Sequence, residues 1–307
     1  MLDLKGIIPA TVLPMTPTSE IDEPELRKYI RWISSQGIKA VAVNVDTGEG
    51  PHLWQEEKLR VLRIYREELA GKQIPIVAGL GASFTAQAVK YGKEYLEAGA
   101  DCLLVFPITA YLGQPLPAEI PYRYHKAVAD EVGLPMILFT LQPALGGTNF
   151  ADETLARLSE IPQVVAIKEA LFDAKRFREI VNVVRAAGRP ITVLTGNDNF
   201  IWESYLLGAE GALLGACATC TGAHVEVHAA AMRGDWATVR EKGDRIQKLV
   251  DVIFAAPVRD YRARSKEVLV IQGILKHAHM RPPLLPVGAE DCQALKRALE
   301  EAGQLGA

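Results

Sequence analysis

Eight short apolar runs recur along this chain at a steady interval, and that rhythm limits what it can fold into more than any other feature. The runs are Ile7–Val12, Ala40–Val45, Ile74–Ala78, Cys102–Phe106, Met136–Phe139, Val164–Ile167, Ile191–Leu194 and Ala212–Leu214. Each is short, aliphatic and bounded by polar sequence, which predicts a buried strand. Amphipathic helical patterns lie between them. Leu26, Ile30 and Ile33 form one stripe, opened by Asp22-Glu23-Pro24-Glu25, which has the form of a capping box with proline in the first turn. Leu59, Leu62, Tyr65 and Leu69 form a second, and Phe177, Ile180, Val181 and Val184 a later one. Gly37, Gly99, Gly133, Gly188 and Gly208 stand between a helix and the next strand, where a C-terminal cap is expected. Strand–helix units repeated eight times imply parallel strands with helical crossovers, and so an α/β (β/α)8 barrel over residues 1–223. A doubly wound open sheet is the competing arrangement on pattern alone. Residues 224–307 read as C-terminal helices packed on the barrel, because no Gly, Ser or Pro linker separates them.

Composition narrows the function. A net charge of −3 over 307 residues offers no basic field for nucleic acid or an anionic membrane. The apolar runs fall far short of the ~20 residues of a membrane span. The opening MLDLKGIIPATVLP lacks the cationic start and cleavage site of a signal peptide, and four cysteines make no disulfide framework, so a cytoplasmic location is expected. Cys217-Ala-Thr-Cys220 has CxxC spacing but no second pair to complete a zinc site. His224 and His228 share helical spacing without the glutamate of a zinc-protease helix. His277 and His279 read as a solvated helix end, and no glycine-rich nucleotide loop occurs. No metal site is expected from these motifs.

Barrel active sites lie at the C-terminal ends of the strands. There the runs deliver Thr11, Asp46-Thr47-Gly48-Glu49, Gly79-Leu80-Gly81, Phe106-Pro107, Phe139-Thr140, Lys168-Glu169, Thr195-Gly196-Asn197-Asp198 and Gly215-Ala216. Lys168 is the most informative of them. It ends the apolar run Val164–Ile167, so the strand carries an amine towards a cavity. Burial disfavours an ammonium, and a neutral lysine attacks carbonyls to form a Schiff base. Turn amides at Thr47-Gly48 are placed to hold a carboxylate. Small residues at Gly196 and Gly215 leave room for a substrate.

With these residues in view, the chain resembles the dihydrodipicolinate synthase/N-acetylneuraminate lyase family. The matching segments are Gly6-Ile-Ile-Pro-Ala-Thr-Val-Leu-Pro14, Thr47-Gly48-Glu49, Ile167-Lys168-Glu169-Ala170, Thr195-Gly196-Asn197-Asp198 and Leu207-Gly208-Ala209-Glu210-Gly211. They stand in family order and span nearly all of residues 6–290. The resemblance implies a homotetrameric or homodimeric barrel with a helical tail and class I aldolase chemistry. In that chemistry a lysine forms an imine with a 2-oxo acid such as pyruvate, or with a sugar-acid-derived 2-oxo acid, and no metal or organic cofactor is needed. On the matching positions it implies Lys168 as the nucleophile, with Thr47, Gly48, Gly196 and Asn197 around the substrate; Phe139 and Gly215, at the ends of strands five and eight, are further substrate-binding candidates.

The departures carry as much information. The family has a tyrosine at the end of strand five that relays protons; Phe139 stands there and has no hydroxyl. The synthases have an arginine shortly afterwards for the second substrate's carboxylate, and Pro143–Thr148 contains none. A second threonine precedes the family's Thr47 match; here it is Asp46, whose carboxylate would repel a substrate carboxylate by ~1–4 kcal/mol at ~4 Å unless protonated or turned away. With the usual relay missing, Asp46 and Tyr111 are the candidate proton carriers, with capping of the next turn the alternative role for Asp46. Glu169 reads as a structural charge partner. The expected function is a Schiff-base-dependent lyase acting through Lys168. A silenced ligand-binding homologue, a barrel enzyme using Asp46 without an imine, and a dihydrodipicolinate synthase-like enzyme are the alternatives.

Overall fold

A computed structural model describes residues 2–305. The eight expected strands are β1 (Ile7–Pro9), β2 (Val41–Val43), β3 (Ile76–Leu80), β4 (Cys102–Val105), β5 (Met136–Leu141), β6 (Val164–Ala170), β7 (Thr192–Thr195) and β8 (Gly211–Leu214). They pair in parallel in the order β1-β8-β7-β6-β5-β4-β3-β2. A parallel bridge between Ala10 and Ala42 joins the two ends, and both the N–H and the hydroxyl of Thr11 donate to the Ala42 carbonyl at 3.0 Å. The sheet therefore closes into a (β/α)8 barrel, and the open-sheet alternative is set aside.

The helices start and stop as their sequences direct. Asp22 accepts from the Glu25 N–H at 3.2 Å and caps the helix Glu23–Ser34. The reciprocal half of the expected capping box is not made. Glu25 instead accepts from Lys276, through its N–H at 2.9 Å and its ammonium at 3.2 Å, which ties the first helix to the tail. Gly133 and Gly208 end their helices at φ 76° and 111°, a conformation that a side chain resists.

Two apolar layers follow from the period-2 alternation of the strands. Leu103 and Val105 face outward onto the helices, whereas Cys102 and Leu104 fill the barrel interior. A register shift in the β5–β6 ladder is decisive for the site. Met136 pairs with Val164, but Ile137 pairs with Ala166, so Val165 is an extra residue on β6. Beyond this bulge Ala166, Lys168 and Ala170 share the interior side, opposite Ile137, Phe139 and Leu141.

The eighth barrel helix is Thr221–Met232, so the expected division at 223/224 falls inside a helix. Helices Trp236–Ile253, Tyr261–Ile271 and Ala289–Glu301 then share a core of Ile246, Leu249, Ile253, Val268, Leu295 and Leu299. Val250 joins Ile7, Ala212 and Leu214 in a cluster that fixes this tail to the barrel. A second tie is wholly buried: the Lys266 ammonium lies 2.5 Å from Glu49 Oε1, also donates to the His279 carbonyl at 2.7 Å, and Glu49 Oε2 accepts from the Arg281 N–H at 3.0 Å. No described helix is long and apolar enough to cross a membrane.

Candidate active site

A cavity of about 330 Å³ opens at the C-terminal ends of the strands, within the range of small-molecule sites. Lys168 lies in its wall. The strand reading placed Lys168 at the end of its run, yet β6 continues to Ala170 because Thr140–Glu169 and Leu141–Ala170 extend the ladder. Lys168 is thus held within a strand rather than on a loose end. Its amine sits 4.3 Å from the centroid of the Phe139 ring, its cross-strand neighbour. The Phe106 ring meets Phe139 edge-on, with centroids 5.1 Å apart. Burial among these groups pushes Lys168 down to about 8, against the opposing pull of Asp198 and Asp46, which act through space.

Asp198, at the mouth of β7, lines the same cavity. Its carboxylate accepts from the Ala216 N–H at 3.1 Å. Burial nevertheless pushes Asp198 up to about 7, with that hydrogen bond and Lys168 opposing the shift. An amine and a carboxyl that both titrate near neutrality thus share one cavity, a combination that favours acid–base chemistry.

The glycines expected to leave room for substrate make room for the protein's own side chains. A Cβ on Gly196 would lie 2.7 Å from Lys168 Cε. A Cβ on Gly215 would lie 3.0 Å from Phe254 Cζ and 3.1 Å from Tyr261 Cε2. Gly48 packs on the Thr11 carbonyl, which a Cβ would approach to 2.8 Å. Among the described residues, the N–H groups of Thr47 and Gly48 donate to no backbone carbonyl or side chain.

Asp46 has partners that its sequence neighbourhood did not announce. Its carboxylate is ion-paired with the Arg262 guanidinium and accepts from the Tyr261 hydroxyl at 3.1 Å. Arg262 Nε also donates to the Asp46 carbonyl at 2.8 Å. The Asp46 side chain therefore neither caps the following turn nor faces a substrate as a free carboxylate. Thr47 Oγ1 lies 3.2 Å from the same Tyr261 oxygen.

Three sequence candidates fall outside the cavity lining: Gly48, which packs on the Thr11 carbonyl, Tyr111 and Asn197. Tyr111 ends a 3-10 turn (Thr109–Tyr111) and is buried against Tyr124, Phe150 and His125, at centroid distances of 6.0, 5.8 and 6.4 Å. Its hydroxyl has no hydrogen-bond partner among the described residues, and burial pushes its pKa far above the ordinary tyrosine value. The aromatic cluster beneath helix Glu119–Val132 has drawn it away from the mouth. Asn197 is also buried behind the wall. It donates to the Glu169 carbonyl at 3.0 Å and accepts from the Phe172 N–H at 2.7 Å. That contact holds Phe172 at φ 61°, a costly value for a side-chain-bearing residue, and Phe172 lines the cavity. Glu169 accepts from the Leu171 N–H at 3.0 Å and pairs with an amide rather than a charge. Cys217 and Cys220 are buried free thiols, and no described group of three His, Cys, Asp or Glu could hold a metal.

Sequence reasoning missed Tyr261 and Arg262 and gave Asp198 no role. Arg259-Asp-Tyr-Arg-Ala-Arg264 is an unusual polar run in an otherwise packing tail. Nothing local in it announces a site some 215 residues from Asp46 in sequence.

The dihydrodipicolinate synthetase family model matches residues 3–302. The chain belongs to this family. It is 31% identical over 302 residues to the 4-hydroxy-tetrahydrodipicolinate synthase of Neisseria gonorrhoeae, covering 98% of this chain and 100% of that one. It is 31% identical over 305 residues to the corresponding synthase of Pseudomonas aeruginosa, covering 98% and 99%. The structure of the chloride-inhibited dihydrodipicolinate synthase of Acinetobacter baumannii, complexed with pyruvate, superposes with a TM-score of 0.86 at 30% identity, covering 98% of this chain and 99% of that chain. The family is one of enzymes with aldolase-type chemistry, and the barrel with its helical tail is its architecture.

Proposed function

We propose that this chain is a Schiff-base-forming lyase that acts on a 2-oxo acid such as pyruvate through Lys168. The observation that carries this reading is an amine held near neutrality in the apolar wall of a cavity at the barrel mouth. The neutral amine attacks the 2-oxo carbon, and loss of water leaves a protonated imine. That cation withdraws electrons from the neighbouring carbon, where a bond to carbon or hydrogen can then break or form. Asp198, poised near neutrality in the same cavity, is the proposed acceptor of the proton that Lys168 must lose. The free N–H groups of Thr47 and Gly48 are donors for the substrate carboxylate. The Asp46 charge that would have opposed that carboxylate is offset by Arg262.

The relatives named above are synthases, and their second substrate is not the one favoured here. Pro143–Thr148 has no arginine, and the arginines that line this cavity, Arg259 and Arg262, come from the tail instead. Apolar groups, including Phe106, Phe139, Leu141 and Phe172, make up much of the remaining wall.

Borohydride reduction with a panel of 2-oxo acids, read by intact mass, tests the proposal. An adduct is expected, and Lys168→Ala should abolish it. Failure of every 2-oxo acid to give an adduct, or mapping of the adduct to another lysine, would overturn the assignment. Condensation of pyruvate with aspartate semialdehyde should run well below an authentic synthase assayed alongside. A comparable rate would make this chain a synthase despite Phe139.

A further inference from the structure

Imine chemistry needs a group that gives a proton to the departing hydroxyl and takes one from carbon, and Phe139 does neither. A tyrosine of the tail nevertheless lines this cavity. Tyr261, the first residue of helix Tyr261–Ile271, lines it together with Lys168. Its oxygen lies 3.2 Å from Thr47 Oγ1 and 3.1 Å from Asp46 Oδ2. Its ring stacks on Phe254, with centroids 4.7 Å apart and planes 18° from parallel. The absence of a side chain at Gly215 lets this aromatic pair approach the barrel mouth, since a Cβ there would crowd both rings. The phenol is thus oriented by four residues and anchored by none of the strands that carry the family's own relay.

We infer that Tyr261 is the proton-transfer residue of this enzyme, doing from the tail what a strand-five tyrosine does in its relatives. The inference rests on the imine reading above. In the first step the Tyr261 hydroxyl proton passes to the hydroxyl of the carbinolamine. The carbon–oxygen bond breaks, water leaves, and the nitrogen lone pair forms the protonated imine. The phenolate then takes a proton from the carbon next to the imine carbon. The carbon–hydrogen electron pair forms the carbon–carbon double bond, the nitrogen accepts the imine pair, and a neutral enamine and a neutral phenol result. Arg262, 5.0 Å from the centre of the Tyr261 ring, and the imine cation both favour the transient phenolate. Burial, with Asp46 adding to it, keeps the resting phenol protonated, the form that the first step requires.

The assignment also accounts for the departure at position 46. The family's threonine at this place is replaced by a carboxylate that Arg262 fixes and that accepts from the Tyr261 hydroxyl. Asp46 then serves to orient the phenol.

Exchange of the pyruvate methyl hydrogens in deuterium oxide, followed by proton NMR, reads the carbon–hydrogen step without any second substrate. Borohydride trapping with pyruvate on the same samples reads the imine. Tyr261→Phe should slow exchange by about 100-fold, the usual worth of a positioned acid–base group, while the adduct still forms at equilibrium. Phe139→Tyr in the Tyr261→Phe background should recover part of the exchange, because it returns a hydroxyl to the wall beside Lys168. Undiminished exchange in Tyr261→Phe would overturn the relay alone. Loss of adduct and exchange in equal proportion would make Tyr261 a packing residue and would also overturn it. No pyruvate adduct on the unmodified protein would overturn the imine reading for pyruvate, and this relay with it.

Discussion

Two buried lysines in this molecule stand in opposite circumstances. Lys266, at the junction of barrel and tail, has no exposed surface and is surrounded by acceptors: Glu49 at 2.5 Å and the His279 carbonyl at 2.7 Å. Lys168 faces an aromatic ring and feels its two aspartates only through space. Burial disfavours the charge of both amines, but at Lys266 a hydrogen-bonded carboxylate opposes it directly, whereas Lys168 has only through-space charges to oppose it and is the one biased towards the neutral, nucleophilic amine. The comparison separates a lysine that joins two parts of the fold from one that is available for chemistry, although both are conspicuous as buried cations.

The largest effect that could break the comparison is on stability. Lys266→Met leaves Glu49 buried without its cation, and should lower the unfolding free energy by ~3–5 kcal/mol. Lys168→Met removes an amine whose burial disfavours its charge, and should leave stability unchanged or raised. The sign follows from Lys168 being pushed below its ordinary 10.5 to about 8. The cost of holding it in the fold is full below about pH 8 and fades as pH rises towards 10.5, where the unfolded amine is neutral too. Urea unfolding of both variants at pH 7 and pH 10 measures this. A loss for Lys168→Met as large as that for Lys266→Met would erase the distinction.

A smaller effect sharpens the chemical side. Only the neutral amine attacks a carbonyl, so the initial rate of adduct formation with pyruvate should rise about tenfold per pH unit below about pH 8 and level off above it. Asp198 and Asp46 favour the ammonium, so Asp198→Asn should move this midpoint down. An unmoved midpoint would show that Asp198 does not act on the amine.

The same contrast explains what could be read from the chain and what could not. The barrel was legible because eight buried strands impose a local pattern, repeated in the residues themselves. Lys168 was legible because an amine after Val164–Ile167 violates that pattern. The bulge at Val165, which turns Lys168 to the interior, leaves no trace in the pattern of apolar residues. Tyr111 misled because loop tyrosines read alike whether they face a mouth or, as here, pack under a helix. Tyr261, Arg262 and the Lys266–Glu49 pair depend on where tail helices come to rest on the barrel, a long-range result of packing. Asp46 was noticed as an anomaly, but its partners lay 215 and 216 residues away.

The smallest effect concerns the ring that replaces the family's tyrosine. Phe139 presents a π face to the Lys168 amine at 4.3 Å, and such a face attracts an ammonium while doing little for a neutral amine. Two influences of Phe139 therefore oppose each other: its bulk keeps water from the amine and favours neutrality, whereas its quadrupole favours charge. Phe139→Leu keeps much of the bulk and removes the quadrupole. A buried cation–π contact worth ~1–2 kcal/mol converts to a fall of ~0.7–1.5 in the midpoint of the pH–rate profile for adduct formation. A rise instead would mean that exclusion of water by the ring outweighs its attraction for the ammonium. Phe139 would then act chiefly by desolvation, and the neutrality of Lys168 would depend on the ring that stands in the place of the missing hydroxyl.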